Sequence, residues 1–252
     1  MNKRQLSMRA MLCTLLCLLT FYGSQARHNT ALAIAATIGT AGNVTDIEKP
    51  AVAPFFKNAD EFAATFDRNG ALSSEQRQAA FDLYNQQKWS ELEALFKANS
   101  WNGGWPPANG GYNIVDDVPL KAGMEFDRYS AAVGNYTGGG TPNLGGSFTS
   151  PLLNGQSYTF TQRALNQAEN TYDFYYEIEV LKDLPFKGQT ADIIPWFGQA
   201  GNGKQTMWKI PVDPASGYPK TWNQLAKEGY IKVIIKQSPS GKYPNIAGTI
   251  IP

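Results

Sequence analysis

The spacing of apolar residues changes near Trp101, and this change most strongly limits the folds open to the chain. Before it, in residues 55–100, large apolar side chains recur every three or four positions, the period of a helix. After it, residues 172–181 alternate apolar and acidic side chains, as in a half-buried strand. No alternation of strands with helices follows, which favours antiparallel pairing. The predicted fold class is α+β: an N-terminal helical subdomain followed by a compact antiparallel β-sheet domain.

Short signals place some boundaries of these elements. Ser73 and Gln76 are spaced for a capping box at the start of a helix. A last helix of the N-terminal group is expected to open at Trp89 and end near Asn99. In the second half, Gly229 can terminate a short helix, and residues 230–236 are predicted to form the last strand.

The first residues have the pattern of an export signal. Three basic residues precede an apolar run over residues 10–22, and small residues follow: Lys3, Arg4 and Arg9, then Gly23, Ser24 and Ala26. The run is shorter than the roughly 20 residues that span a bilayer. We therefore predict a signal peptide over residues 1–26, a linker over 27–54, and a protein that is secreted or at the cell surface without stable membrane insertion. An uncleaved anchor is the alternative.

Loss of the leader limits the available chemistry. Both cysteines, Cys13 and Cys17, lie in it, and the one histidine, His28, follows the expected cut by two residues. A folded domain without these residue types cannot build a Ser-His-Asp, Cys-His or ordinary zinc site. No cofactor and no metal site are therefore expected to be required. Calcium binding on carboxylates such as Asp116 and Asp117 stays possible.

The net charge of the chain and its two glycosylation sequons give two further expectations about partners and modification. The formal net charge of +1 gives no basic patch that would indicate a nucleic-acid partner. Asn43-Val44-Thr45 and Asn135-Tyr136-Thr137 are glycosylation sequons, so the protein is a predicted glycoprotein if its host is eukaryotic.

Residues 193–208, IIPWFGQAGNGKQTMW, form the most distinctive stretch of the second half. A bulky apolar run is followed by three glycines, which allow tight turns and close approach of a ligand. They deliver Gln205 to the start of a predicted strand. Its amide carries two donors and one acceptor and can orient hydroxyls or water without a charge. A glycine-rich hairpin loop with two core aromatics is the alternative interpretation.

Five motifs occur in a fixed order over residues 105–205: WPPANGGY, FDRYS, GSFTSP, QRAL and PWFGQAGNGKQ. Together they resemble the NAD glycohydrolase domain of the tuberculosis necrotizing toxin (TNT) family, particularly its secreted fungal surface NADases. The resemblance covers roughly residues 102–243, and we assign the domain to residues 101–252, after the helical subdomain of residues 55–100. The chain departs from the family pattern at three positions: Ser130, Asn166 and Thr206.

The resemblance implies a toxin-like enzyme that hydrolyses NAD+, and also NADP+, to ADP-ribose and nicotinamide. It implies catalytic roles for Gln205 and Arg128, with Gln205 on ribose hydroxyls or water, and with Arg128 and Arg163 on the pyrophosphate. It further implies substrate binding by one more arginine and four aromatic residues: Arg163, Tyr129, Phe148, Trp196 and Phe197. For the aromatics, plain core packing is the alternative, and for Arg163 a structural ion pair. A homodimer is possible.

Two other functions fit the same residues. The first is a secreted module that binds a nucleotide or sugar without turning it over. The second is an ADP-ribosyltransferase acting on a protein. Such transferases normally use a catalytic glutamate, and residues 196–205 contain none.

Overall fold

The computed structural model describes residues 54–252. The predicted signal peptide and all but the last residue of the predicted linker lie outside this range. All residues named above with numbers below 54 therefore lie outside it, including Cys13, Cys17, His28 and the sequon at Asn43.

Three helices open the described chain: α1 (Ala59–Ala63), α2 (Ser74–Asn85) and α3 (Trp89–Ala98). The predicted capping box at the start of α2 is confirmed. The Ser73 hydroxyl accepts from the Gln76 amide at 3.3 Å, and the Gln76 side chain accepts from the Ser73 amide at 2.9 Å. These bonds satisfy two of the backbone donors that a helix start leaves unpaired.

Eight strands follow: β1 (Gly111–Pro119), β2 (Glu125–Ser130), β3 (Phe148–Pro151), β4 (Phe174–Val180), β5 (Lys187–Ile193), β6 (Lys204–Trp208), β7 (Ile231–Gln237) and β8 (Ile250–Ile251). They form one sheet in the order β1-β5-β6-β3-β2-β4-β7-β8. Every neighbouring pair is antiparallel. A short helix, α4 (Trp222–Lys227), lies between β6 and β7 in the chain. Helices followed by an antiparallel sheet confirm the predicted α+β class.

The clearest predicted strand shows why the sheet forms. Phe174, Tyr176, Ile178 and Val180 of β4 are all buried, each at most 1% exposed. They pack with Val233 and other residues of β7 into what we call the β core. Full burial of one such side chain stabilises the fold by about 1.5–3 kcal/mol. The alternating apolar residues therefore determine which face of the strand packs against the core.

A second cluster, which we call the helical core, joins the helices to the far end of the sheet. Phe62 of α1 and Phe96 of α3 pack there with Ile114 of β1 and Ala191 of β5. The strand order puts β6, β3 and β2 in the middle of the sheet, where Phe126 of β2 and Trp208 of β6 also pack in the β core. In residues 54–252 no helix is long and apolar enough to cross a membrane.

Candidate functional site

A cleft lies where β6, β3 and β2 meet. It encloses about 380 Å³ of empty space, including part that is open to solvent. Ten residues line it: Asp127, Arg128, Tyr129, Phe148, Thr149, Ser150, Arg163, Leu165, Ile193 and Gln205. Five of the seven predicted site residues are among them: Arg128, Tyr129, Phe148, Arg163 and Gln205. The structure brings these five together from four different segments of the chain.

Gln205 is held from two sides. Its side-chain nitrogen donates to the Asn109 carbonyl at 3.2 Å, and its strand neighbour is Ala191 of β5. A Cβ atom at Gly111 would lie 3.1 Å from the same nitrogen and 2.8 Å from the Ala191 Cβ, so glycine makes room for both. The amide oxygen and the second N–H remain available to a ligand in the cleft.

The glycine-rich turn before Gln205 explains its position. A Cβ atom at Gly201 would lie 2.5 Å from the Pro195 nitrogen, and one at Gly203 would lie 2.6 Å from the Gln162 carbonyl oxygen. The Gly201 and Gly203 amides donate to carbonyls of the short turn Thr161–Arg163, at 3.1 and 3.0 Å. Glycine is therefore required at both positions, and the close packing brings the start of β6 beside the segment that carries Arg163.

Arg128 occupies a gap between two strands. The β2–β3 ladder contains only two residue pairs and ends at Asp127. Beyond it, the Arg128 guanidinium donates to the Phe148 carbonyl oxygen. Gly146 has a φ of +118°, and a Cβ atom there would lie 2.6 Å from Arg128 Nη2. Within residues 54–252 the buried Nε of Arg128 has no hydrogen-bond partner. The protein thus leaves this cation partly unsatisfied beside the cleft.

Arg163 forms a buried ion pair with Asp127. Both terminal nitrogens donate to the carboxylate, and the Nη2–Oδ2 distance is 2.7 Å. The two side chains are 5% and 0% exposed. The structural ion pair considered from the sequence is therefore present, although Arg163 still lines the cleft. Sequence reasoning missed Asp127; the available signal was a carboxylate inside the strand-like FDRYS motif.

Tyrosines flank this ion pair. The Tyr129 ring lies 5.4 Å from the Arg163 guanidinium carbon, and its hydroxyl donates to Glu169 at 2.7 Å. Burial raises the pKa of Tyr129, and the bond to Glu169 adds to this shift. Burial is also the main cause that raises the pKa of Tyr175 to about 12. Both phenols are therefore neutral at physiological pH and serve as donors and ring surfaces.

Trp196 and Phe197 do not lie in the cleft. Trp196 is 1% exposed, packs 5.6 Å from the Phe96 ring and donates to the Gly104 carbonyl at 2.9 Å. The Phe197 ring lies 5.3 Å from that of Trp105. Both rings pack with the helical core. The prediction that they sandwich a substrate ring is therefore corrected: the apolar run before the glycines serves to anchor the turn under the helices.

The carboxylates suggested for calcium are already paired. Lys209 contacts Asp116 at 2.7 Å and Asp117 at 2.9 Å. The hydrogen bond from Lys209 is the largest cause that lowers the pKa of Asp116. Among the residues from 54 onward, no group of three or more His, Cys, Asp or Glu side chains is arranged to hold a metal ion.

Comparison with known proteins gives one family. Residues 119–234 match the family described as tuberculosis necrotizing toxin, a range that includes Arg128, Arg163 and Gln205. No curated protein matches the chain. Among solved structures, tuberculosis necrotizing toxin complexed with its immunity factor IFT is 16% identical, with a TM-score of 0.35, over 51% of this chain and 60% of that one. The family match over residues 119–234 confirms the resemblance in the sequence: the chain carries a domain of the tuberculosis necrotizing toxin type.

Proposed function

We propose that the protein is an NAD+ glycohydrolase that cleaves the bond between nicotinamide and ribose, and that it also accepts NADP+. One observation carries the proposal. Two arginines, two aromatic rings and the glutamine that the toxin-type motifs supply lie around a single cleft. The match of residues 119–234 to a toxin family supports the same activity.

The chemistry suits this set of residues. Breaking the bond from nicotinamide to ribose builds positive charge on the sugar, as in other glycoside cleavages. Nicotinamide departs neutral, so the site needs no strong general acid and can work without histidine. Water then adds to the anomeric carbon and releases a proton, which gives ADP-ribose. In this proposal the neutral amide of Gln205 orients ribose hydroxyls or the attacking water where the charge develops.

The remaining residues would hold the substrate. Arg128 lines the cleft, and its guanidinium is suited to a phosphate oxygen of the pyrophosphate. Tyr129 and Phe148 line the cleft with half-buried rings on which a flat base can lie.

Release of nicotinamide is the direct test. The purified protein, incubated with NAD+ and separately with NADP+, should produce free nicotinamide and an equal amount of the corresponding ADP-ribose product. Binding of NAD+ without nicotinamide release would favour the binding module instead. Nicotinamide release with ADP-ribose attached to an added protein acceptor would favour the transferase.

We also propose that the protein is exported, cleaved after its leader and glycosylated. Asn135, in the second sequon, is exposed on the segment between β2 and β3. Mass spectrometry of the secreted protein should find its N-terminus between about residues 27 and 37, and a glycan on the peptide that contains Asn135. A full-length product retained in the cytosol would contradict the proposal.

A further inference from the structure

The ion pair at the cleft is poorly explained by stability alone. Asp127 is fully buried in β2, and its partner Arg163 is nearly so. Such a pair loses the hydration of two charges, and well-packed apolar residues of similar volume usually stabilise a fold equally well or better. The pair nevertheless lies at the cleft, where both residues contribute to the lining. Its position therefore suggests a role in the site.

Arg163 is fixed in one orientation by several contacts. Its Nε donates to the Tyr158 carbonyl at 3.2 Å, and its terminal nitrogens donate to Asp127. The Tyr129 ring packs against the guanidinium at cation–π distance. These hydrogen bonds use three of the five N–H donors of an arginine. One donor on each terminal nitrogen remains for a ligand.

Asp127 is itself held from the side away from the cleft. The Tyr175 hydroxyl donates to Asp127 Oδ2 at 3.0 Å, and Ser157 shares a hydrogen bond with the same hydroxyl at 2.5 Å. Tyr175 is not among the residues that line the cleft. Its hydroxyl can therefore act on a ligand only indirectly, through the carboxylate and Arg163 or through the Tyr129 ring, which lies 4.7 Å from the Tyr175 ring; the double-mutant cycle below distinguishes these two routes.

We propose that Asp127 and Tyr175 are positioning residues, which hold Arg163 so that one of its remaining N–H donors meets a phosphate of the dinucleotide. The inference rests on the proposed function, because it takes NAD+ as the ligand. It assigns the ion pair a part in substrate affinity, while Gln205 acts on the reacting sugar.

Tyr175→Phe tests the proposal with the smallest change, since it removes only the hydroxyl. We expect KM for NAD+ and the Kd for ADP-ribose, measured by calorimetry, to rise about three- to tenfold, which is less than direct loss of a hydrogen bond to a charged group would cost, because the hydroxyl acts on the ligand only indirectly. The kcat should stay within about twofold of the wild type. Tyr112→Phe is the matched control: Tyr112 is a half-buried tyrosine of β1 outside the cleft, and its hydroxyl accepts from Gln87.

A double-mutant cycle then asks whether the effect passes through Arg163. Arg163→Lys keeps the positive charge but removes the planar fork that binds a carboxylate at two points. In that background Tyr175→Phe should raise KM no further, because the oriented guanidinium is already lost. An unchanged KM in the single variant Tyr175→Phe, or equal effects of this change in both backgrounds, would overturn the inference.

The wild type separates this inference from the proposed function. If the wild type releases nicotinamide but Tyr175→Phe changes neither KM nor the Kd for ADP-ribose, the positioning role alone is refuted. A wild type that neither releases nicotinamide nor binds ADP-ribose refutes both. Melting temperature within a few degrees of the wild type shows that the Tyr175→Phe protein is folded.

Discussion

At the scale of single residues, the glutamine and the arginines of the cleft have different proposed roles. Gln205 is oriented by the Asn109 carbonyl and has hydrogen-bonding groups left for a ligand, so its amide is preorganised. Arg128 and Arg163 instead offer positive charge suited to phosphate. A preorganised neutral group is most valuable where charge appears during the reaction, whereas a phosphate contact exists before and after it.

Gln205→Ala is therefore expected to lower kcat for NAD+ about a hundred- to a thousand-fold, the usual cost of losing one preorganised group. Affinity for ADP-ribose and the melting temperature should change little. Gln189→Ala is the matched control, since Gln189 is a half-buried glutamine of the neighbouring strand β5 that does not line the cleft. A well-folded Gln205→Ala enzyme with near-normal kcat would refute the assignment.

Gly146→Ala is expected to weaken NAD+ binding by displacing Arg128. A Cβ atom there would approach the guanidinium to 2.6 Å, and the flexible arginine is the group that moves. KM should approach that of Arg128→Ala, for which loss of a phosphate contact would cost about 1.5–3 kcal/mol. Gly140→Ala is the control: it also has a positive φ, of +71°, but no atom within 4 Å of the added Cβ. Equal KM values in the two glycine variants would contradict the mechanism.

The sequence placed polar site residues correctly at the cleft but did not show which way an aromatic residue faces. Arg128 and Gln205 were predicted from motifs, and the structure places both at the cleft. The motifs also contained Trp196, whose ring packs against the helices. An aromatic residue beside a glycine turn can face either side of the turn, and only the position of the helices decides between them. Asp127 was missed because a buried carboxylate is recognised through its partner, which lies 36 residues away.

At the scale of elements, the helices support the sheet and supply none of the residues that line the cleft. Their buried aromatics account for the apolar periodicity of residues 55–100 through packing in the helical core. We therefore expect changes in the helical segment to affect stability and to leave turnover intact.

Ser73→Ala tests this expectation. Removing the cap of α2 should lower the free energy of unfolding by about 0.5–2 kcal/mol. For a domain of this size each 1 kcal/mol corresponds to about 2–4 °C in melting temperature. The kcat and KM for NAD+ should match the wild type. Ser90→Ala in α3, where no side chain caps the helix, should cost less. A large loss of turnover at unchanged melting temperature would show that the helices contribute to the site.

The sequence predicted regular elements well and irregular ones poorly. Residues 172–181 and 230–236 alternate except at Tyr175 and Ile234 and at their ends, and the structure has β4 over Phe174–Val180 and β7 over Ile231–Gln237. In β1, by contrast, Asn113 and Asp117 have positive φ, and the pairing with β5 shifts register twice. These irregularities break the period of two on which strand prediction depends.

At the scale of the whole molecule, the chemistry depends on amides, guanidinium groups and rings. Residues 54–252 contain neither cysteine nor histidine. Nicotinamide release by a purified protein that starts after the predicted leader should therefore be unaffected by a thiol alkylator or by a zinc-selective chelator. Enzyme treated in the same way and returned to buffer is the control for damage. Strong inhibition by either reagent would contradict the proposed site; calcium is not part of this prediction.

The strand order itself could not be predicted from the sequence. The central strand β3 has four residues and pairs with β2 and β6 at only two positions each. Both partners are distant in the chain, and so short a segment carries too little alternation to specify them. The cleft therefore follows from long-range pairings, although most of its charged and polar residues could be named in advance.

The location of the cleft around β3 also bears on when activity arises. The helical core and the β core each gather residues from distant positions, over residues 56–196 and 120–251. Arg128 on β2 and Gln205 on β6 are brought to one cleft by β3, which pairs with both strands. Distant pairings close late, because the entropy of the intervening loops must first be overcome. We therefore expect the cleft, and any activity that depends on it, to be completed late in folding.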